Sequence, residues 1–171
     1  MWSSDRRKFL ALLSAGALGA CGFTPTYGPG GGGYPLVNRV RIPAPDSGDS
    51  YVLVRELEQR LGRVSAPQYD LALKLNVFEQ SLAVTSDNTT TRFNVVGNLD
   101  YSLTETASGT IIGSGKVNSF TGYSATGSTV ATLASQGDAH ERLMVILSDM
   151  LVARLTADLA RSGTASGPAG Q

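Results

Sequence analysis

The sequence predicts an α+β fold: a two-layer sandwich of two helices packed on a four-stranded, mostly antiparallel sheet, in the order β-α-β-β-β-α. Three observations point to it. Residues 51–63 and 130–160 carry apolar side chains at helical spacing. Between them lie three long runs of alternating apolar and polar residues, separated by turn sequences. A short alternating run also precedes the first helical stretch. Two amphipathic helices would then cover one face of the sheet.

The chain opens with a lipoprotein signal peptide, residues 1–20. Arg6, Arg7 and Lys8 form a basic start, and residues 9–20 form an apolar and small-residue run. Twelve residues are too few for a membrane-spanning helix, which needs about 20, but fit a secretory segment. The run ends at Leu18-Gly19-Ala20-Cys21, the pattern at which a thiol is alkylated with diacylglycerol and the chain is cut before it. Cys21 is the only cysteine, so an intramolecular disulfide is excluded and lipidation explains the odd thiol. Asp5-Arg6-Arg7-Lys8-Phe9-Leu10 fits a twin-arginine signal as well as a general secretory one. Gly22, rather than an aspartate after the lipidated residue, favours the outer membrane over the inner.

Residues 21–35 read as a lipid-anchored flexible tether, with Pro25, Pro29, Pro35 and four consecutive glycines. A strand follows at 36–42, with Val40 and Ile42 on one face and Arg39 and Arg41 on the other; Pro43 ends it. Asp49 or Ser50 would cap the first helix, whose apolar stripe is Leu53, Val54, Leu57 and Leu61, with Gly62 as its stop. In the next run Tyr69, Leu71, Leu73, Leu75 and Val77 share a face. The phase then shifts to Phe78, Leu82 and Val84, which predicts a bulge or twist near Phe78. Asp87-Asn88-Thr89 is a turn. Phe93, Val95, Gly97, Leu99, Tyr101 and Leu103 share the next face. Ala107-Ser108-Gly109 is a second turn, and residues 111–123 form the last strand, weakened by Gly113 and Gly115. Leu143, Leu147, Met150, Leu151, Leu155 and Leu159 line one face of the closing helix; Ser135 or Asp138 offers a later start for it than residue 130. The α+β domain is 36–161, and 162–171 read as a disordered tail. The sheet face away from the helices is polar: Lys74, Asn76, Asn94, Asn98, Asp100 and Lys116.

Charge and residue inventory narrow the function. Residues 1–20 hold three of the 14 lysines and arginines and one of the 14 acidic residues, leaving 11 against 13. A nearly neutral chain without a basic run is not built to bind nucleic acid. His140 is the sole histidine and reads as a surface residue. With no second histidine and Cys21 lipidated, a Cys/His dyad or a His/Cys metal site is excluded. Gly113-Ser114-Gly115-Lys116 is not a phosphate loop, since Thr110 and Val117 break the pattern. The expectation is a protein that is not an enzyme, with no cofactor and no metal beyond the diacylglycerol and N-acyl lipid on Cys21.

Cys21-Gly22-Phe23-Thr24-Pro25-Thr26-Tyr27-Gly28 resembles the Cys-Gly-Phe-x-Pro-Leu-Tyr-Gly start of alphaproteobacterial LPS-assembly lipoproteins, the LptE family, with Thr26 where leucine is usual. Tyr69-Asp70-Leu71, Thr91-Arg92, Leu99-Asp100-Tyr101-Ser102-Leu103 and the long closing helix extend the likeness over nearly the whole mature chain. The resemblance implies two helices on a four-stranded sheet, and a lipoprotein that plugs and helps assemble the LptD β-barrel in the outer membrane. It implies direct contact with lipopolysaccharide, which that pair inserts into the outer leaflet. Family members can carry basic residues at the tip between the second and third strands. Here the tip is Ser86-Asp87-Asn88-Thr89-Thr90-Thr91, and only the flanking Arg92 is basic. Arg92 and Lys116 are therefore the candidate lipopolysaccharide contacts. The expected location is the outer membrane, lipid-anchored and facing the periplasm. Two alternatives remain at this stage: an auxiliary lipoprotein of a periplasmic lipid or solute transporter, and an anchored structural domain without a fixed cargo.

Overall fold

A computed structural model describes residues 36–84 and 90–165. Its elements are β1 (Val40–Arg41), α1 (Gly48–Leu61), β2 (Tyr69–Val84), β3 (Thr90–Glu105), β4 (Ile111–Ser124) and α2 (Thr129–Ala165). The sheet order is β1-β2-β3-β4. β2, β3 and β4 form an antiparallel meander, while β1 pairs parallel to β2, so the sheet is mixed. The parallel pair follows from the crossover: α1 separates β1 from β2, and a helix returns the chain to the end it left.

β1 is shorter than the alternation at 36–42 suggests. Residues 36–39 turn instead, with Asn38 in the left-handed region at φ 57°. The turn has a use. Asn38 N–H donates to the Leu61 carbonyl at 2.6 Å, satisfying an orphan acceptor at the end of α1. Gly62, at φ 75°, takes the C-cap position against the Asn38 side chain, where a Cβ has no room. At its other end α1 starts earlier than Asp49 or Ser50. Ser47 caps it: Ser50 N–H donates to Ser47 Oγ at 3.2 Å, and Ser47 N–H donates to Ser50 Oγ at 2.8 Å. This reciprocal box places Asp49 and Ser50 inside the first turn.

The predicted bulge near Phe78 is absent. Register runs unbroken from Tyr69 opposite Glu105 to Ser81 opposite Phe93, with Phe78 opposite Val96. The irregularities lie further on, between Ser81 and Val84. Phe78 breaks the apolar phase because it stands on the outer face, not because the strand slips.

α2 is continuous through Gly137 and runs on to Ala165, past the expected end at 160. Ser128 Oγ accepts from Ala131 N–H at 3.3 Å at its start. Ala139, Leu143, Met144, Leu147, Leu151, Val152 and Leu155 form its buried stripe; Met150, expected inside, falls on the solvent flank. The stripe lies on the inner face of the sheet, against Val95, Leu99, Leu103 and Val117. Two glycines let it approach. A Cβ on Gly97 would sit 2.8 Å from Leu147 Cδ1, and one on Gly113 would overlap Asp158. Tyr101 Oη donates to Asp158 Oδ2 at 2.8 Å in the buried layer. The helices are tied together by Arg55 to Glu141 at 2.8 Å and Arg60 to Asp149 at 2.7 Å.

Core truncation should therefore be costly. Leu147→Ala is expected to destabilise the fold by about 2–5 kcal/mol through the cavity it leaves, and Gly113→Ala by about 1–3 kcal/mol through overpacking on Asp158. Urea unfolding followed by circular dichroism measures both. An unshifted midpoint for Gly113→Ala would show that Asp158 is not held where it lies.

Candidate binding face

Among the described residues the helices cover one sheet face and leave the other bare. On the bare face the register lines side chains into rows that cross β2, β3 and β4. Lys74, Asp100 and Lys116 form the first, with Lys116 Nζ 3.3 Å from Asp100 Oδ1. Asn76, Asn98 and Asn118 form the second. Phe78, Val96 and Phe120 form the third, and Gln80, Asn94 and Gly122 the fourth. Arg92, opposite Ser124, closes the face near the β2–β3 turn. At the opposite end Arg41 pairs with Asp70 at 3.1 Å. Directly opposed residues have Cβ atoms about 5 Å apart, so each row is a contiguous strip. Phe78 is 47% exposed and Phe120 64%.

Of the expected site residues, Arg92 and Lys116 both lie on this face and are exposed, but at different ends of it. The structure does not bring them together. Cys21 lies outside the described residues, as do most of the expected tip residues, 86–89. The sequence pattern identified the polar members of the face. It missed the aromatic row, whose signal was present: Phe78 and Phe120 occupy even positions in strands whose inward residues are odd-numbered.

His140 is not a plain surface residue. It is half-buried, with Nδ1 3.0 Å from both carboxylate oxygens of Asp49 and Nε2 3.3 Å from Glu79 Oε1. Glu79 also accepts from Tyr123 Oη at 2.9 Å and Gln136 Nε2 at 2.6 Å. The imidazole thus joins α1, β2 and α2, and through Glu79 reaches β4. Partners 61 and 91 residues away in sequence were not legible from its neighbours Asp138 and Glu141. Burial raises the Glu79 carboxyl, but hydrogen bonds from Gln136, Tyr123 and His140 together outweigh it and hold the group below its usual range. Burial, then a carboxylate partner, pushes two phenols up to about 12: Tyr101 beside Asp158 and Tyr123 beside Glu79. Among the described residues no group of three or more His, Cys, Asp or Glu side chains is placed to hold a metal ion. No described helix is long and apolar enough to cross a membrane.

These features define a class: a two-layer α+β domain whose sheet is covered by helices on one side and carries ordered polar and aromatic rows on the other. The chain belongs to the LptE family, described as lipopolysaccharide-assembly, whose model matches residues 37–155. The fold is similar to that of a lipoprotein from Caulobacter crescentus CB15, with a TM-score of 0.59 and 24% identity over 81% of this chain and 99% of that one. It is also similar to the rare lipoprotein B of Shewanella oneidensis (TM-score 0.58, 11% identity, 72% and 98% covered). A third similar structure is an uncharacterized lipoprotein B of Nitrosomonas europaea (TM-score 0.58, 10% identity, 78% and 92% covered). No curated protein sequence matches the chain.

The raised phenols set an alkaline limit. A phenol with a folded-state pKa above its unfolded value of about 10 contributes stability below that pH and loses it as pH rises through the folded value. Stability is therefore expected to fall between about pH 10 and pH 12. The Tyr101→Phe/Tyr123→Phe double variant should start less stable, having lost two hydrogen bonds, and fall less steeply. Chemical unfolding across that range tests this, and equal slopes would contradict it.

Proposed function

We propose that this chain is an outer-membrane lipoprotein that plugs and helps assemble an LptD-type β-barrel, assisting insertion of lipopolysaccharide into the outer leaflet. The observation that carries the reading is membership of the lipopolysaccharide-assembly family over residues 37–155. The bare face supports it. A large barrel encloses a polar lumen, and a plug for it needs a polar exterior around a small core of its own. The protein works by binding and not by catalysis. Its only covalent group is the lipid on Cys21, which holds the domain to the membrane from the periplasmic side.

Arg92 and Lys116 are proposed to contact lipopolysaccharide phosphates, where a cation makes charge-assisted hydrogen bonds. Arg92 is the stronger candidate, because Lys116 already faces Asp100.

Affinity purification from detergent-solubilised outer membranes, through a tag after Gln171, should recover a large β-barrel at near one-to-one stoichiometry. Depletion should lower both that barrel and outer-leaflet lipopolysaccharide. Recovery of ATPase and permease subunits would instead mark an auxiliary transporter lipoprotein. Cys21→Ser should abolish lipid labelling and leave the chain unprocessed at residue 20; normal lipid labelling of that variant would remove the anchor assignment.

A further inference from the structure

We infer that the Phe78–Val96–Phe120 row is the anchor by which the bare sheet face docks on the barrel partner. The inference rests on the function proposed above and assigns the docking to particular residues. Two phenylalanines in register across three strands, Phe78 about half exposed and Phe120 more so, present a compact apolar strip at the middle of a polar face. An apolar centre ringed by polar groups is how protein interfaces concentrate their binding energy.

The surroundings of the strip select its occupant. Amide rows flank it on both sides: Asn76, Asn98 and Asn118 on one, Gln80 and Asn94 on the other. Against acyl chains these amides would lose water without gaining partners, a cost of about 1–3 kcal/mol for each buried group. Against a sheet wall lined with polar side chains they can both donate and accept. Among the described residues of the sheet, Arg41, Lys74, Arg92 and Lys116 face outward against Asp70 and Asp100. A second copy of the same cationic face would be repelled. The complementary surface is polar and net acidic, with an apolar socket. The closed inner wall of a large β-barrel can supply it, because its inward positions are polar and alternate along every strand.

The test uses the full-length, lipidated chain carrying Phe78→Thr, Phe120→Thr or both. Threonine is chosen because it favours strands. Leu133→Gln, on the exposed start of α2, is the control. Unchanged melting midpoints establish that each variant folds. If the inference holds, wild type and Leu133→Gln recover the barrel, while the double phenylalanine variant recovers roughly tenfold less, the loss expected for an interface anchor. Equal recovery by the double variant overturns the inference and leaves the proposed function standing. Failure of wild type to recover any barrel overturns the proposed function itself. Two further results would overturn the inference in favour of another occupant. One is a wild-type dimer that the threonine variants dissolve. The other is barrel recovery that persists while co-purifying lipopolysaccharide is lost.

Discussion

The packing of α2 on the inner face of β3 and β4 fixes the arrangement of both layers. A helix of 37 residues is about 55 Å long, and strands of 16 residues about 53 Å. The helix therefore matches the strands in length, and its leucines at 143, 147, 151 and 155 are fully buried against the sheet. Close approach requires small residues beneath the helix, which explains why glycine is tolerated at 97 and 113 inside strands. It also brings Asp158 down onto Tyr101, whose phenol donates to one oxygen of the buried carboxylate while Arg161 pairs with the other.

Because both helices are used on one side, the other side has no cover among the described residues. α1 is held to α2 by Arg55 and Arg60, and to the sheet through His140 and Glu79. Neither helix reaches round an edge. β1 pairs only with Tyr69 and Asp70, because Pro43 and Pro45 stop it, so the outer edge of β2 is bare beyond Asp70 as well. A protein that keeps a broad sheet face in ordered rows of charge, amide and aromatic groups has a surface suited to recognition.

Most of the architecture was legible in the sequence, since alternation and helical spacing report which side of each element is buried. The element order, the meander and the polar face followed from those periods. The errors have local causes. At 36–39 the alternation was real, but the end of α1 needed a donor, and Asn38 turned to supply it. At Phe78 the broken phase was assigned to the backbone when it belonged to the surface. The even position of Phe78 marks it as outward-facing, but its register with Val96 and Phe120 exists only once the strands pair. The His140 cluster was hidden for the same reason: its partners come from other elements. Arg92 and Lys116 both stand on the bare face, but nothing in the strand pattern showed that Lys116 faces Asp100.

On the proposed function, the bare sheet face carries the main contact with the partner, ahead of the helical layer. Site-specific photocrosslinking in living cells tests it most directly, with a benzophenone residue placed at Asn98, between the ionic and aromatic rows, or at Asp149 on the helical layer. A strong crosslink is expected from position 98 to a large β-barrel, and a weak one or none from position 149. A crosslink confined to position 149 would contradict it, and would mean that the helices carry the interface and the ordered rows face only water.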